Sequence, residues 1–491
     1  MAKKEKLSMI EKHTLLIIFI LAVIMLSLPY MLRISDNNTT LIGSESYLHA
    51  RISQTLLVKG EAVNDLLITG GRPFITNPYH HLLSNVSYFT GIADASKYVP
   101  FILGLISVFL MFSILKHFKL STLKIFLIML VFVLSPGFIY VFTFSNPHAL
   151  LLFLALLGFN LFFCRQKRLF IFSIPVFFLM PYFSILISFI AVILLLSVSL
   201  QRRRSINRFI VILTVLVISA SLNFFIKYSS IGFPEKSVMF RESFSAIYLS
   251  SLGSLVGFDI FMLFLAVMGF FYTWGRKQRL MGLYLSLLIL LIAAYTQGTD
   301  FNIYANLIFS FFAGIAFYRL VLMRWDLEFI EKLTILLIIL GLVFSGLSYV
   351  NRISSLQPDD GLLDSLAWLK EHSEKGSIIL CPPQYGYWVE FGSERKVILD
   401  SAPELIKDSE IRFKDLNELF FSKELEITRD IIEKYNISYL IVDNEMKNGL
   451  IWSENDEGLL FLLRNNETFK KEYSHIGIDI WKITIDTNDQ E

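Results

Sequence analysis

Apolar stretches long enough to cross a bilayer recur from residue 14 to residue 350, and basic residues fall in every second connection between them. A span needs roughly 20 apolar residues, and about eleven candidates follow. They are 14–33, 98–115, 124–142, 147–164, 169–181, 183–200, 209–226, 257–274, 280–297, 302–320 and 332–350. The basic groups are Lys3/Lys4/Lys6, Lys116/Lys119/Lys124, Arg165/Lys167/Arg168, Arg202/Arg203/Arg204/Arg208, Arg276/Lys277/Arg279 and Arg319/Arg324. Short Lys/Arg-rich loops stay in the cytoplasm. The pattern therefore predicts a polytopic α-helical membrane protein with a cytoplasmic N-terminus. Residues 1–350 form its membrane part, with long external loops at 34–97 and 227–256. Residues 351–491 follow as an extracytoplasmic domain. The fifth candidate is short and holds Pro175 and Pro181, which suits a broken or shallow hairpin backed by neighbouring helices.

Composition agrees. The 491 residues are 54% hydrophobic and 18% charged, far from a soluble average. The basic clusters are short and sit at membrane edges, so they read as topology anchors and not as a nucleic-acid footprint. Cys164 and Cys381 fall on opposite sides, and neither has a partner at zinc-site spacing. The first apolar stretch has no clear small-residue cleavage site and reads as a retained helix.

The tail reads as α/β. Pro358-Asp359-Asp360 opens a helix carrying Leu362, Leu363, Leu366 and Leu369, and Gly376 follows it. Ile378–Leu380, Val397–Leu399 and Tyr439–Val442 are short apolar runs suited to buried strands. Residues 423–435 read as a helix, and Ile476–Ile485 alternates like an edge strand.

Polar chemistry gathers in the external loops. Glu45, His49 and Arg51 lie within seven residues after the first span, and in a helix Glu45 and His49 share a face at i,i+4. The acid could hold a divalent cation or act as a base, and the arginine could clamp a phosphate. An ordinary interfacial helix has the same pattern. Asp65, Arg72, Asn77, Tyr79, His80 and His81 come next; adjacent histidines do not share a helix face. The second loop carries Glu235, Lys236, Arg241 and Glu242, and a structureless loop of that length is often functional. Asp300 falls in a turn at the outer end of a span. Mid-span charge is nearly absent, which argues against a coupled transporter or flippase.

The order of these segments resembles a known family. Gly43-Ser44-Glu45-Ser46-Tyr47-Leu48-His49-Ala50-Arg51 is similar to the first-loop pattern G-x-D-x-Y-x-H-x-R of oligosaccharyltransferase catalytic subunits, the AglB group of the GT-C glycosyltransferases. Asn77-Pro78-Tyr79-His80-His81-Leu82-Leu83 extends the similarity. Ser237–Glu242 stands where that family has an external-loop glutamate motif. Asp300–Ala305 resembles the R-F-x-x-Y-A start of a late span. Gln384-Tyr385-Gly386-Tyr387-Trp388 resembles the end of the W-W-D-Y-G acceptor motif, and Arg395–Asp400 the segment after it.

The resemblance implies a GT-C fold and transfer of a sugar or glycan from a polyprenyl-phosphate-linked donor on the outer face, to an acceptor it does not identify. It makes Glu45 and Glu242 catalytic and Arg51 and Arg241 ligands of the donor phosphate. Tyr385, Gly386, Tyr387, Trp388 and Asp300 would face the acceptor. Any metal would be Mg²⁺ or Mn²⁺ on oxygen ligands, held by Glu45 with His148. The departures matter. The family's first-loop aspartate is Glu45 here, and Ser145-Asn146-Pro147-His148 offers no second acid. Pro382, Pro383 and Gln384 replace W-W-D, and two prolines cannot donate hydrogen bonds to an acceptor. Asp300 replaces an arginine. A non-catalytic relative that binds or assembles lipid-linked glycans is the alternative.

Overall fold

The structure, a computed structural model, describes residues 2–60, 62, 64–164, 166–201, 205–231, 244–454 and 456–484. Among these, six helices are long and apolar enough to cross a membrane: His13–Ser35, Ile92–His117, Ile206–Ile226, Lys277–Gln297, Phe301–Leu322 and Glu328–Ser354. The stretch expected at 124–142 is two helices, Thr122–Leu134 and Pro136–Thr143, bent by 59°. Counting that pair as one span makes seven, fewer than the eleven expected. Pro147–Phe163, Ile185–Gln201 and Ile260–Thr273 are apolar but shorter.

The proline-bearing stretch 169–181 is not one continuous helix. It breaks into Lys167–Ile171, Ser173–Leu179 and a 3-10 turn at Met180–Tyr182. A neighbouring helix answers the backbone freed there: Asn223 Nδ2 donates to the Pro181 carbonyl at 2.6 Å. Such repair is what apolar surroundings require. The bend at 135–136 has a local cause. Pro136 opens the second limb, and the Ser135 side chain accepts from the Phe138 amide to cap it.

Close helix approach depends on small residues. A Cβ on Gly269 would lie 2.0 Å from the Phe312 carbonyl oxygen, so Ile260–Thr273 sits directly on the backbone of Phe301–Leu322. Backbone cannot swing aside. Gly269→Ala should therefore lower stability by about 1–3 kcal/mol through overpacking, read as a lower midpoint of thermal unfolding in detergent.

The tail holds a five-stranded mixed sheet. Its strands are β3 (Ile378–Leu380), β4 (Lys396–Val397), β5 (Ile437–Val442), β6 (Phe469–His475) and β7 (Ile478–Ile483), in the order β4-β3-β5-β7-β6. β3 runs parallel to β4 and β5; β7 runs antiparallel to β5 and β6. The expected edge strand at 476–485 is thus an inner strand. The edge is β6, whose exposed Lys470, Lys471 and Glu472 hide it from simple alternation. The helices Asp360–His372 and Leu425–Tyr435 lie where the sequence places them, whereas Gly386–Gly392 and Ser409–Phe421 are additions.

The long connection between the first two long helices is built into the tail. It carries the helices Ser44–Lys59 and Pro78–Thr90 and a two-residue ladder of β1 (Asn64–Asp65) with β2 (Arg72–Pro73). Leu41, Tyr47, Ala50 and Ile68 share one core with Leu366, Ile379 and Leu440 of the tail. Ile68 pairs in parallel with Val397, with Thr69 N–H donating to the Val397 carbonyl and Val397 N–H to the Leu67 carbonyl, both at 2.9 Å. The loop therefore covers the free side of β4. Arg33, buried at the end of the first helix, donates to the carbonyls of Ser354, Leu356 and Pro358 at 2.9, 2.6 and 2.6 Å and ties the tail's start to that helix. The described parts of the second loop contain the short helix Phe244–Tyr248 and a 3-10 turn at Ser250–Leu252, so it is not structureless there.

Candidate active site

Glu45 lies in the first turn of the Ser44–Lys59 helix. The preceding Gly43 has φ +73°, and a Cβ there would meet Phe144 at 2.4 Å, so glycine lets the helix start pack on that ring. Phe144 follows the bent helix pair. The same limb delivers Tyr140, whose hydroxyl donates to Glu45 Oε2 at 2.8 Å. The next turn is locked from both sides. Ser145 N–H donates to Ser46 Oγ at 3.0 Å, and Tyr79 and Ser145 hydroxyls are 2.7 Å apart. Asn146 then caps Pro147–Phe163 and places His148 in its first turn.

His148 is held at both ring nitrogens. Nδ1 is 2.9 Å from the Tyr304 hydroxyl, and Nε2 is 3.5 Å from Asp300 Oδ2. Asp300 and His148 both act electrostatically on Glu45. Enclosure pushes the Glu45 carboxyl up to about 7, and the Asp300 charge adds to the rise; the Tyr140 hydrogen bond and His148 oppose it. The resulting site has a carboxyl poised near neutrality beside a histidine–carboxylate pair. Such a carboxyl suits general-base work.

Glu45 and His148 lie near enough for the imidazole to act on the carboxyl. Arg241 and Glu242 lie outside the described residues. Arg51 faces the other way. It grips Asp65 with two bonds, 2.8 and 2.7 Å, and reaches Glu390 Oε2 at 2.9 Å. Arg72 joins at Asp65 Oδ2 (3.0 Å) and Glu390 Oε2 (3.4 Å), and also pairs with Asp400. All five side chains are buried. The guanidinium expected to hold phosphate is committed to a buried network that fastens the first loop to the tail.

Burial pushes Glu390 up to about 8 against the pull of both arginines. Asp65 resists burial because Arg51's hydrogen bonds and the two arginine charges hold it well below the usual carboxylate range. At Glu390, burial and the two neighbouring guanidiniums thus pull in opposite directions, and burial wins. A raised carboxyl stabilises the fold fully below its unfolded value, and that share is lost as pH rises toward the folded value. Stability should fall between about pH 4.5 and 8 on this account, and Glu390→Gln should flatten the fall in thermal-unfolding midpoints.

The proposed acceptor-side residues divide. Tyr385 is turned into the tail, its hydroxyl donating to Asp443 at 2.7 Å and Glu445 at 3.3 Å. Trp388 is buried in the tail core. Gly386 packs on Asp400, where a Cβ would lie 2.5 Å from the Asp400 Cβ. Tyr387 is buried where Asp400, Arg72, Glu390 and Glu45 all act on it. Asp300 is paired with His148 beside Glu45. Sequence reasoning missed Tyr140, which nothing marks within an apolar run. It also missed Glu390, although a lone acid in Tyr385–Phe391 is a visible signal.

The metal implied by the resemblance finds no preformed cage. Among the described residues, no three His, Cys, Asp or Glu side chains group so as to hold an ion. Both nitrogens of His148 are also engaged. The described residues do not fit a metal centre.

No family model and no curated relative matches the chain. Solved structures match over nearly its whole length. An oligosaccharyltransferase, AglB, from Archaeoglobus fulgidus, solved with an inhibitory peptide and a dolichol-phosphate, is 14% identical. The match covers 97% of this chain and 75% of that one, with a TM-score of 0.63. The same archaeal enzyme has been solved in complex with Zn and sulfate. ArnT from Cupriavidus metallidurans, bound to undecaprenyl phosphate, is 9% identical over 96% of this chain and 97% of its own, with a TM-score of 0.54. The arabinofuranosyltransferase AftD from Mycobacteria is 14% identical over 96% of this chain and 42% of its own, with a TM-score of 0.57. The chain has the GT-C fold and, within it, resembles AglB.

Proposed function

We propose that the protein is a multi-pass membrane glycosyltransferase that moves a sugar or glycan from a polyprenyl-phosphate-linked donor to an acceptor at the Glu45 cluster. The observation that carries this reading is the convergence of Glu45, Tyr140, His148 and Asp300, drawn from four separate segments, under the loop–tail assembly. The solved relatives hold dolichol-phosphate and undecaprenyl phosphate, which supports a donor of that class. In the reaction, Glu45 takes the proton of the acceptor's nucleophile. Tyr140 fixes the carboxyl's orientation, and Asp300 and His148 set its basicity. The tail, residues 351–491, is then an extracytoplasmic domain.

Topology follows from parity. Loop 34–97 and the tail are docked on each other, so they lie on one side of the membrane. An even number of crossings must separate them. Six long helices plus one bent span, three short apolar helices and the broken 169–181 stretch make eleven, which leaves ten between loop and tail. The basic connections put that shared side outside.

The test is transfer of labelled sugar from a polyprenyl-phosphate donor in proteoliposomes. Activity should rise with pH through about 7 as Glu45 ionises. Asp300→Asn removes the charge that helps raise Glu45, so it should move the acid limb of the pH profile to lower pH. A limb that stays put contradicts the assignment. One observation favours a non-catalytic, glycan-binding reading: the lack of a metal-holding group among the described residues. Wild-type protein that binds donor yet never transfers sugar would establish it.

A further inference from the structure

His49 follows Glu45 by one helical turn and lies close enough to His148 for the two imidazoles to interact electrostatically. Its Nδ1 is 2.8 Å from Nε2 of His80, with the rings stacked and their centroids 5.1 Å apart. The backbone settles which nitrogen carries each proton. Asn77 N–H donates to His80 Nδ1 at 3.1 Å, so that nitrogen is an acceptor and bears no proton. A neutral imidazole holds one N–H, and in His80 it must be on Nε2. That N–H points at His49 Nδ1, which accepts it. The single proton of His49 is therefore on Nε2. Burial keeps both rings neutral: it holds His80 down at about 3, with His81 adding, and His49 well below its usual value, with His80 and His148 adding. No described residue makes a hydrogen bond to His49 Nε2.

We propose that His80 is a positioning residue that locks His49 as a donor, and that His49 Nε2–H holds a phosphoryl oxygen of the lipid-linked substrate beside Glu45. This rests on the reading of the Glu45 cluster as the transfer site. The choice of oxygen follows from complementarity. Glu45, as a base, accepts a proton and so meets the acceptor's O–H or N–H. His49 Nε2 can only donate, so it meets an acceptor oxygen, and the anionic oxygens of the lipid phosphate are the strongest acceptors such a sugar donor carries. A fixed neutral donor needs no reorganisation when that oxygen arrives.

Two readouts test it. Solid-state NMR of ¹⁵N-histidine-labelled full chain in liposomes reports tautomers without ligand, with the His49 signals identified by their loss in His49→Gln. The wild type should show His49 protonated at Nε2 only. His80→Phe should give both tautomers, and His80→Gln, whose amide can still donate, should restore the single form. Polyprenyl-phosphate affinity should fall about tenfold in His80→Phe and His49→Phe and recover in His80→Gln, in line with groups that orient a ligand from behind. A wild-type His49 protonated at Nδ1 overturns the relay. Unchanged polyprenyl-phosphate affinity in His80→Phe, with its tautomers scrambled, overturns the phosphate contact. Wild-type protein that shows the expected tautomer but binds no polyprenyl phosphate overturns the underlying transfer reading and the phosphate contact together, and leaves the relay standing.

Discussion

Glu45→Gln should reduce sugar transfer by about 10²–10⁴-fold, the usual worth of a positioned general base. The substitution is nearly isosteric, and the new amide oxygen can still accept from Tyr140 at the 2.8 Å position. Folding and donor binding should therefore be preserved while proton removal is lost. Glu45→Asp tests reach. It keeps the charge but withdraws the carboxyl by one methylene from Tyr140, so it should recover only part of the rate. Equal activity in Glu45→Gln and wild type would remove the carboxyl from the chemistry. Loss of the thermal transition in Glu45→Gln would instead make its role one of packing between helix and bend.

Arg51→Met should cost about 3–5 kcal/mol of stability, because one partner of a buried ion network is removed and the others are left uncompensated. Asp65 loses both of its Arg51 bonds and Glu390 loses one. The loop and tail share a core as well as charges, so the expected result is a large drop in unfolding midpoint together with protease cleavage of the 60–75 segment. A phosphate-binding arginine behaves in the opposite way: its removal weakens donor binding and spares the fold. Pairing Arg51→Met with Asp65→Leu should return part of the loss, since apolar replacement of a whole buried pair is often neutral. Lower donor affinity with unchanged stability would return Arg51 to the phosphate.

The sequence reveals the fold class because membrane insertion imposes a strong, local code. Apolar length and Lys/Arg placement are readable residue by residue. It is less informative about breaks. The bend at Ser135-Pro136 and the three pieces around Pro175 and Pro181 depend on which neighbours satisfy the freed backbone, and Asn223 lies 42 residues from the carbonyl it serves. The carboxylate at 45 is legible, being a charge in the connection that follows the first span. Arg51 shows the limit. Charge and proximity to Glu45 suggest a ligand-binding role, but two positions of a helix point in different directions, and the side chain's partner at 390 is 339 positions away (390 − 51). Tyr140 is silent in sequence because an aromatic in an apolar run looks like core. The His49–His80 relay is silent too, since its meaning lies in one backbone amide at Asn77.

The most direct measurement is an experimental structure of the full chain with a polyprenyl phosphate bound. The account predicts the phosphate at the cluster of Glu45, His49, His148 and Asp300, with the lipid tail leaving between the spans and the loop–tail assembly above it. A phosphate at the opposite membrane face, or out of hydrogen-bond reach of all four side chains, contradicts it.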